Sequence, residues 1–250
     1  MAAPVRPPPD LAEPKILACV FVYNEGDKLR RTLERFPPAS ERNYDVVVVD
    51  DGSTDSAPAV IDQFPFVHLR HESNRGIGAA FRSAFEYADA HEYDIFVPMA
   101  GNGKMHPEDI PRLLAPLLSG EYDYVQGSRY IEGGLHENLP LFRRLAIPVV
   151  SRMIGLLSGF HSSDVTCGFR AYRLAIVRHP RLDIKQSWLD HYEMEYYIHY
   201  YAIKLGYRLT EAPVGMHYPA AKKNYSKIRV FVGWWSMLRP WIYLSLGLRK

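Results

Sequence analysis

Short apolar runs that alternate with helix-like segments constrain the fold of this chain more than any other feature. The clearest run is 44–49, in which four valines follow one another. A strand of β-branched side chains without polar alternation is typical of a parallel sheet buried on both faces. We predict strands at 15–22, 44–49, 67–69, 95–97 and 123–126, and helices at 27–36, 57–64, 76–90 and 107–118. This order predicts an α/β fold with a doubly wound, mostly parallel sheet flanked by helices.

Polar clusters follow almost every predicted strand. They include Tyr23-Asn24-Glu25, Asp50-Asp51-Gly52-Ser53, Asn74-Arg75-Gly76 and Gly127-Ser128-Arg129. Ligands of doubly wound sheets bind beyond the carboxyl ends of the strands. The clusters are therefore predicted to line one ligand site.

Composition argues against a nucleic-acid-binding protein and indicates three segments along the chain. Thirty basic and 28 acidic residues leave a net charge of +2, which gives no field for nucleic acid. Cys19 and Cys167 lie far apart and are expected to be buried reduced thiols, as in a reducing compartment. We expect a flexible Pro-rich lead-in at 1–14 without the apolar core of a signal peptide, one domain at 15–227, and a separate segment at 228–250.

Six motifs in order across residues 16–227 resemble family 2 glycosyltransferases of the GT-A fold, and most closely the dolichyl- or polyprenyl-phosphate mannose and glucose synthases. They are Val22-Tyr23-Asn24-Glu25, Val48-Val49-Asp50-Asp51-Gly52-Ser53-Thr54-Asp55, Asn74-Arg75-Gly76-Ile77-Gly78-Ala79-Ala80, Gln126-Gly127-Ser128-Arg129-Tyr130, Asp164-Val165-Thr166-Cys167-Gly168-Phe169-Arg170-Ala171-Tyr172-Arg173 and Ser226-Lys227. The resemblance implies an inverting enzyme that moves a hexose from GDP-mannose or a UDP-hexose to a polyprenyl or dolichyl phosphate.

The resemblance also implies which residues bind the nucleotide sugar. These are Val22, Tyr23, Glu25, Asp50, Asp51, Asn74, Gly76, Asn102 and Lys227. One carboxylate of Asp50 and Asp51 is expected to hold the base or ribose, while the other caps the turn; an ordinary Asx turn is the alternative for the pair. Glycines at 76 and 78 are expected to let the nucleotide approach the backbone, with plain packing at the helix start as the alternative.

On the acceptor side, the resemblance implies that Arg129 and Arg143 face the lipid phosphate and that Arg144 and Asp164 lie nearby. A guanidinium group can donate two parallel hydrogen bonds to the oxygens of one phosphate, and it stays charged at any working pH. A solvated or lipid-facing basic pair is the alternative for Arg143 and Arg144. Arg170 is expected to be structural.

The chain departs from the family at the metal. Relatives hold Mg²⁺ or Mn²⁺ with Asp-X-Asp and a Gln two residues later, whereas these positions are Ala100, Asn102 and Lys104 here. The family predicts a divalent metal, to which only Asn102 could contribute an oxygen. Our hypothesis is that Lys104 binds the diphosphate directly, helped from the C-terminal side by Lys222, Lys223 or Lys227. The alternatives are a metal held by Asn102 and the phosphates, or a surface Lys104 in a degenerate site.

The C-terminal segment, 228–250, contains three tryptophans and Tyr243 but carries Arg239 and Pro240 at its centre. An arginine at that depth disfavours a membrane span. We predict an amphipathic interfacial hairpin or broken helix, with an oligomer interface and a true span as alternatives. Among His191, His199 and His217 no metal-ligand spacing is evident, and Glu195 is a weak candidate for the site.

The leading interpretation is a glycosyltransferase associated peripherally with the cytoplasmic face of the membrane. Its predicted partners are a nucleotide sugar, a polyprenyl phosphate and the membrane surface, without nucleic acid. The alternatives are a family 2 transferase that acts on a saccharide or protein hydroxyl and a non-catalytic module that binds nucleotide sugars.

Overall fold

The computed structural model describes residues 13–218 and 230–249. Its strands are β1 (Ile16–Val22), β2 (Asp45–Asp50), β3 (Val67–Arg70), β4 (Ile95–Ala100), β5 (Tyr124–Ser128), β6 (Leu135–Glu137), β7 (Arg170–Arg173), β8 (Leu209–Pro213) and β9 (Gly215–His217). Its helices are α1 (Gly26–Leu33), α2 (Ala57–Ile61), α3 (Ile77–Ala90), α4 (Ile110–Leu118), α5 (Leu141–Ser158), α6 (Glu193–Lys204) and α7 (Val230–Ser245).

Seven strands form one sheet in the order β3-β2-β1-β4-β7-β5-β8, and β6 pairs with β9 in a small second sheet. The pairs β1–β2, β1–β4, β2–β3 and β5–β8 are parallel. The prediction of a mostly parallel α/β sheet is confirmed. β7 was not predicted, and it runs antiparallel to both of its neighbours, β4 and β5.

Apolar side chains cover both faces of the large sheet. On one face α3, α6 and α7 contribute to a cluster that includes Phe85, Tyr197 and Trp241. On the other face α1, α2 and α4 cover a cluster that includes Leu29 and Leu113. The strands β1, β2 and β4 are buried from both sides, which explains why they are almost continuously apolar.

The C-terminal segment forms a single helix, α7, rather than a hairpin or broken helix. Its second half packs on α6, where Trp241 and Leu244 are buried and Tyr200 donates a hydrogen bond to the Leu244 carbonyl at 3.1 Å. Arg239 forms an ion pair at 2.5 Å with Glu193, which is fully buried. The arginine at the centre of the segment therefore serves to dock the helix. Within residues 13–218 and 230–249, no helix is both long and apolar enough to cross a bilayer.

Candidate active site

A cavity of about 480 Å³ opens at the carboxyl ends of the central strands. This volume is typical of sites for small ligands. The predicted site residues that line it are Val22, Tyr23, Glu25, Asp51, Asn74, Gly76, Asn102, Lys104, Arg129 and Arg143. Asp50, Arg144 and Asp164 lie outside this lining. Lys222, Lys223 and Lys227 lie outside the described residues.

Asp50 and Asp51 have different roles in the turn after β2. The Oδ1 of Asp50 accepts the backbone N–H of Ser53 at 2.8 Å, and the Asp50 side chain is fully buried. Asp51 lines the cavity and accepts four hydrogen bonds, from His71 Nδ1, Asn74 Nδ2 and the backbone N–H groups of residues 75 and 76, at 2.7–3.1 Å. Asp50 therefore caps the turn, while Asp51 organises the loop that leads into α3.

The glycines at the start of α3 are explained by packing against the protein itself. Gly76 has a φ of +94°, and a Cβ there would lie 2.2 Å from the Asp190 carbonyl oxygen. A Cβ on Gly78 would lie 1.7 Å from the carbonyl oxygen of Leu189. Close approach of the segment before α6 therefore requires both glycines, as the packing alternative states, although Gly76 also lines the cavity.

Lys104 follows β4, at the third position of the turn where the family resemblance predicts a metal. The residue is only 8% exposed and lines the cavity, with its ammonium group 5.3 Å from the centre of the Tyr218 ring. Burial, followed by the nearby charge of Arg143, lowers the pKa of Lys104 to about 8. The group is thus largely protonated at pH 7. The interpretation of Lys104 as a surface residue is wrong.

Arg129, after β5, is held in place by Asp164. Its Nε and Nη2 donate to the two carboxylate oxygens at 2.5 and 2.7 Å, and Nη1 donates to the Tyr218 hydroxyl at 3.0 Å. Arg129 is 4% exposed and Asp164 fully buried. Burial alone would lower the pKa of Arg129, but the Asp164 carboxylate offsets it and the net shift is upward. Asp164 thus positions the guanidinium that borders the cavity.

The two neighbouring arginines of α5 are separated by helix geometry. Arg143 is half-buried and lines the cavity together with Ile147. Arg144 is exposed and does not line the cavity. Successive residues point about 100° apart around a helix, so only one of the two can face the site.

Residues at the start of α6, together with β9 and the residue that follows it, form another wall of the cavity. Its residues include Tyr192, Glu195, Tyr196, Met216 and Tyr218. Apart from Glu195, none of these residues was predicted from the sequence to belong to the site. Burial raises the pKa of Glu195, whereas Arg170 opposes that shift. Besides Glu195, the sequence signal for this wall is the frequency of tyrosine, with seven between residues 192 and 218.

The family model "Glycosyl transferase family 2" matches residues 18–179. The chain is a member of this family. An undecaprenyl-phosphate mannosyltransferase of Micrococcus luteus is 32% identical over 205 residues, which cover 80% of this chain and 82% of the relative. A polyprenol monophosphomannose synthase of Mycolicibacterium smegmatis is 29% identical over 206 residues, with 80% and 76% covered. The glycosyltransferase activity implied by the sequence motifs is confirmed.

Solved structures share the fold. Glucosyl-3-phosphoglycerate synthase from Mycobacterium tuberculosis, in complex with Mn²⁺, UDP and glucosyl-3-phosphoglycerate, superposes with a TM-score of 0.69 at 17% identity over 96% of this chain and 82% of that one. Its complex with Mg²⁺ and UDP gives 0.68 at the same identity over the same shares of the two chains. The likeness confirms the GT-A fold of the family 2 domain.

Proposed function

We propose that this glycosyltransferase moves a hexose from GDP-mannose or a UDP-hexose to a polyprenyl or dolichyl phosphate, with inversion, at the cytoplasmic face of the membrane. The observation that carries the proposal is one cavity lined both by the loops after β1 and β3 and by Arg129 and Arg143. The two sets of residues follow different strands of the sheet. β1 and β5 are three strand spacings apart, a distance of about 14 Å. The named relatives, which act on polyprenyl phosphates, support the lipid acceptor.

The proposed reaction is a single displacement. A phosphate oxygen of the lipid forms a bond to the anomeric carbon, and the bond from that carbon to the β-phosphate oxygen breaks with its electron pair. The nucleoside diphosphate leaves with one additional negative charge. A phosphate monoester has a second pKa near 6, so it is largely dianionic at pH 7 and needs no base. Arg129 and Arg143 are assigned to that dianion, because guanidinium groups bind phosphate oxygens with paired hydrogen bonds.

Incubation with radiolabelled GDP-mannose, UDP-glucose and UDP-N-acetylglucosamine in the presence of a short-chain polyprenyl phosphate tests this function. We expect one donor to give a lipid-extractable, acid-labile product. Transfer to a saccharide or peptide hydroxyl without lipid product would replace the proposed acceptor. Nucleotide binding without turnover on any acceptor would identify a non-catalytic binding module.

A substitution of Glu195 distinguishes a phosphate acceptor from a hydroxyl acceptor. It is the carboxylate at the cavity whose pKa is raised by burial, as a general base would require. Because a phosphate dianion needs no base, we expect Glu195→Gln to keep transfer to lipid phosphate within about tenfold of wild type. Initial rates at saturating donor measure this. A loss of roughly 10²–10⁴ would indicate base catalysis and favour a hydroxyl acceptor.

Helix α5 offers a surface for the membrane. Leu141, Phe142, Leu145, Val149, Met153 and Leu156 are 58–74% exposed. At 3.6 residues per turn they fall within about 120° of the helix circumference. The opposite side carries Ile147 and Ile154, both buried. An apolar stripe on a helix that also places Arg143 at the cavity suits a protein lying on the lipid surface that supplies its acceptor.

We expect the double substitution Leu145→Glu and Val149→Glu to reduce sedimentation with vesicles of anionic phospholipid about tenfold or more. Each change removes apolar burial in the lipid and adds a charge repelled by the surface. Leu118→Glu on α4 is the matched control, because Leu118 is also exposed but lies outside the stripe. Unchanged vesicle binding, with loss of a dimer in light scattering, would instead make the stripe an interface between copies of the chain.

A further inference from the structure

The turn after β4 does not supply the ligands that a divalent cation needs. The Ala100 side chain has no oxygen or nitrogen atom that could bind a metal. The Asn102 Oδ1 accepts a hydrogen bond from the backbone N–H of Lys104 at 3.3 Å. The third position carries an ammonium group, which repels a cation. Within residues 13–218 and 230–249, no group of three or more His, Cys, Asp or Glu residues could hold a metal ion. The residues at this position therefore do not fit a metal held by the protein.

The carboxylates that line the cavity are already engaged. Glu25 forms an ion pair with Lys28 at 2.5 Å. Asp51 accepts four hydrogen bonds from its own loop. Burial raises the pKa of Glu195, which disfavours its charged form. Recruiting any of them to a metal would break contacts that hold the site together or require a buried charge.

Positive charge predominates around Lys104. Among the described residues, Arg143, Lys28 and Arg129 on the positive side and Glu25 on the negative side act on its ammonium group. An excess of cations in a partly buried wall costs free energy in the absence of an anion. A bound diphosphate would relieve that repulsion, and the low local dielectric would strengthen the attraction.

We propose that the ammonium group of Lys104 binds the diphosphate of the nucleotide sugar and neutralises the charge that develops on it, in place of a divalent cation held by the protein. This inference rests on the proposed function, because it takes the donor to be a nucleoside diphosphate sugar. Its chemical consequence is that the leaving group is stabilised by a side chain fixed in the cavity wall. Lys104 would then be a catalytic residue that touches the substrate.

Equilibrium binding of GDP and UDP, measured by titration calorimetry without any lipid, tests the proposal. We expect the wild-type protein to bind one of them with the same affinity in excess EDTA as in excess MgCl₂, because no metal held by the protein takes part. We expect Lys104→Met to weaken the binding of that diphosphate by about 10- to 100-fold, since hydrogen bonds to charged groups carry affinity of this size. Binding of the corresponding nucleoside, which lacks phosphates, should stay unchanged.

Two further variants act as controls. Lys204→Met removes an exposed ammonium group that, like that of Lys104, lies near a tyrosine ring, 5.6 Å from Tyr200, but outside the cavity, and it should leave binding unchanged. Lys104→Arg keeps the charge and should retain most of the affinity. Thermal unfolding of each variant shows whether the fold is intact.

Binding that disappears in EDTA and returns with Mg²⁺ or Mn²⁺ would overturn the proposal, as would an unchanged affinity in Lys104→Met. If neither diphosphate binds under any condition, the proposal fails together with the donor part of the proposed function. If a diphosphate binds in EDTA and depends on Lys104, but no sugar reaches a lipid phosphate, the proposal is supported and only the acceptor is wrong.

Discussion

Substitution of Asp164 by alanine is expected to lower the free energy of unfolding by ~3–5 kcal/mol, the usual cost of removing one partner from a buried ion pair. Asp164 is fully buried and accepts hydrogen bonds from both Nε and Nη2 of Arg129, which is itself only 4% exposed. Without the carboxylate, the guanidinium remains buried with its charge uncompensated. Urea unfolding followed by circular dichroism measures the change.

The surface pair between Arg178 and Asp89 provides the control. Its Nε–Oδ1 distance is 2.8 Å, but the two side chains are 40% and 56% exposed. Asp89→Ala should therefore cost only ~0–1 kcal/mol. Combining Asp164→Ala with Arg129→Met should recover much of the lost stability, because no buried charge remains. A cost below about 1 kcal/mol for Asp164→Ala alone would contradict the assignment, since water in the cavity would then solvate Arg129.

The strands and helices between residues 15 and 126 could be predicted because buried parallel strands consist of apolar runs in the sequence. The observed bounds differ from the predicted ones by one residue at one end of β1 and of β3 and by one residue at both ends of β2. β7 escaped prediction because its sequence, Arg-Ala-Tyr-Arg, carries no apolar run. Arg170 is nonetheless buried in it, since its guanidinium donates to the carbonyls of residues 165, 167 and 195.

The site was predictable where it follows the strands and unpredictable where it depends on distant segments. Motifs at the ends of β1, β2 and β5 indicated Glu25, Asp51 and Arg129, and all three line the cavity. Tyr196 and Tyr218 reach the same cavity from parts of the chain that approach only after folding. Local sequence patterns contain no information on that approach.

Arg239 shows how a polar residue in an apolar segment can have two explanations. In the sequence it argued against a membrane span; in the structure it pairs with the buried Glu193 of α6. The ion pair fixes how α7 lies on the domain, and the buried Trp241 adds the apolar contact. A charge pattern alone does not distinguish a membrane-interface arginine from one that docks a helix.

Substitution of Arg143 by alanine is expected to lower kcat/KM for the lipid phosphate by about 10- to 150-fold. This range corresponds to the ~1.5–3 kcal/mol of a hydrogen bond to a charged group. Arg143 lines the cavity, and its charge is felt by Lys104. Since its proposed partner is the acceptor phosphate, the affinity for the nucleotide should change much less. Initial rates at varied lipid phosphate, with donor saturating, measure the effect.

Arg144→Ala is the matched control, because it removes the same group one residue further along α5. Arg144 is exposed and lies outside the cavity lining, so its loss should change kcat/KM by less than about threefold through long-range attraction alone. Equal losses from the two substitutions would mean that the arginines act as a diffuse basic patch toward the membrane. In that case both effects should shrink together as salt is raised, whereas a direct contact between Arg143 and phosphate in the partly buried cavity resists screening.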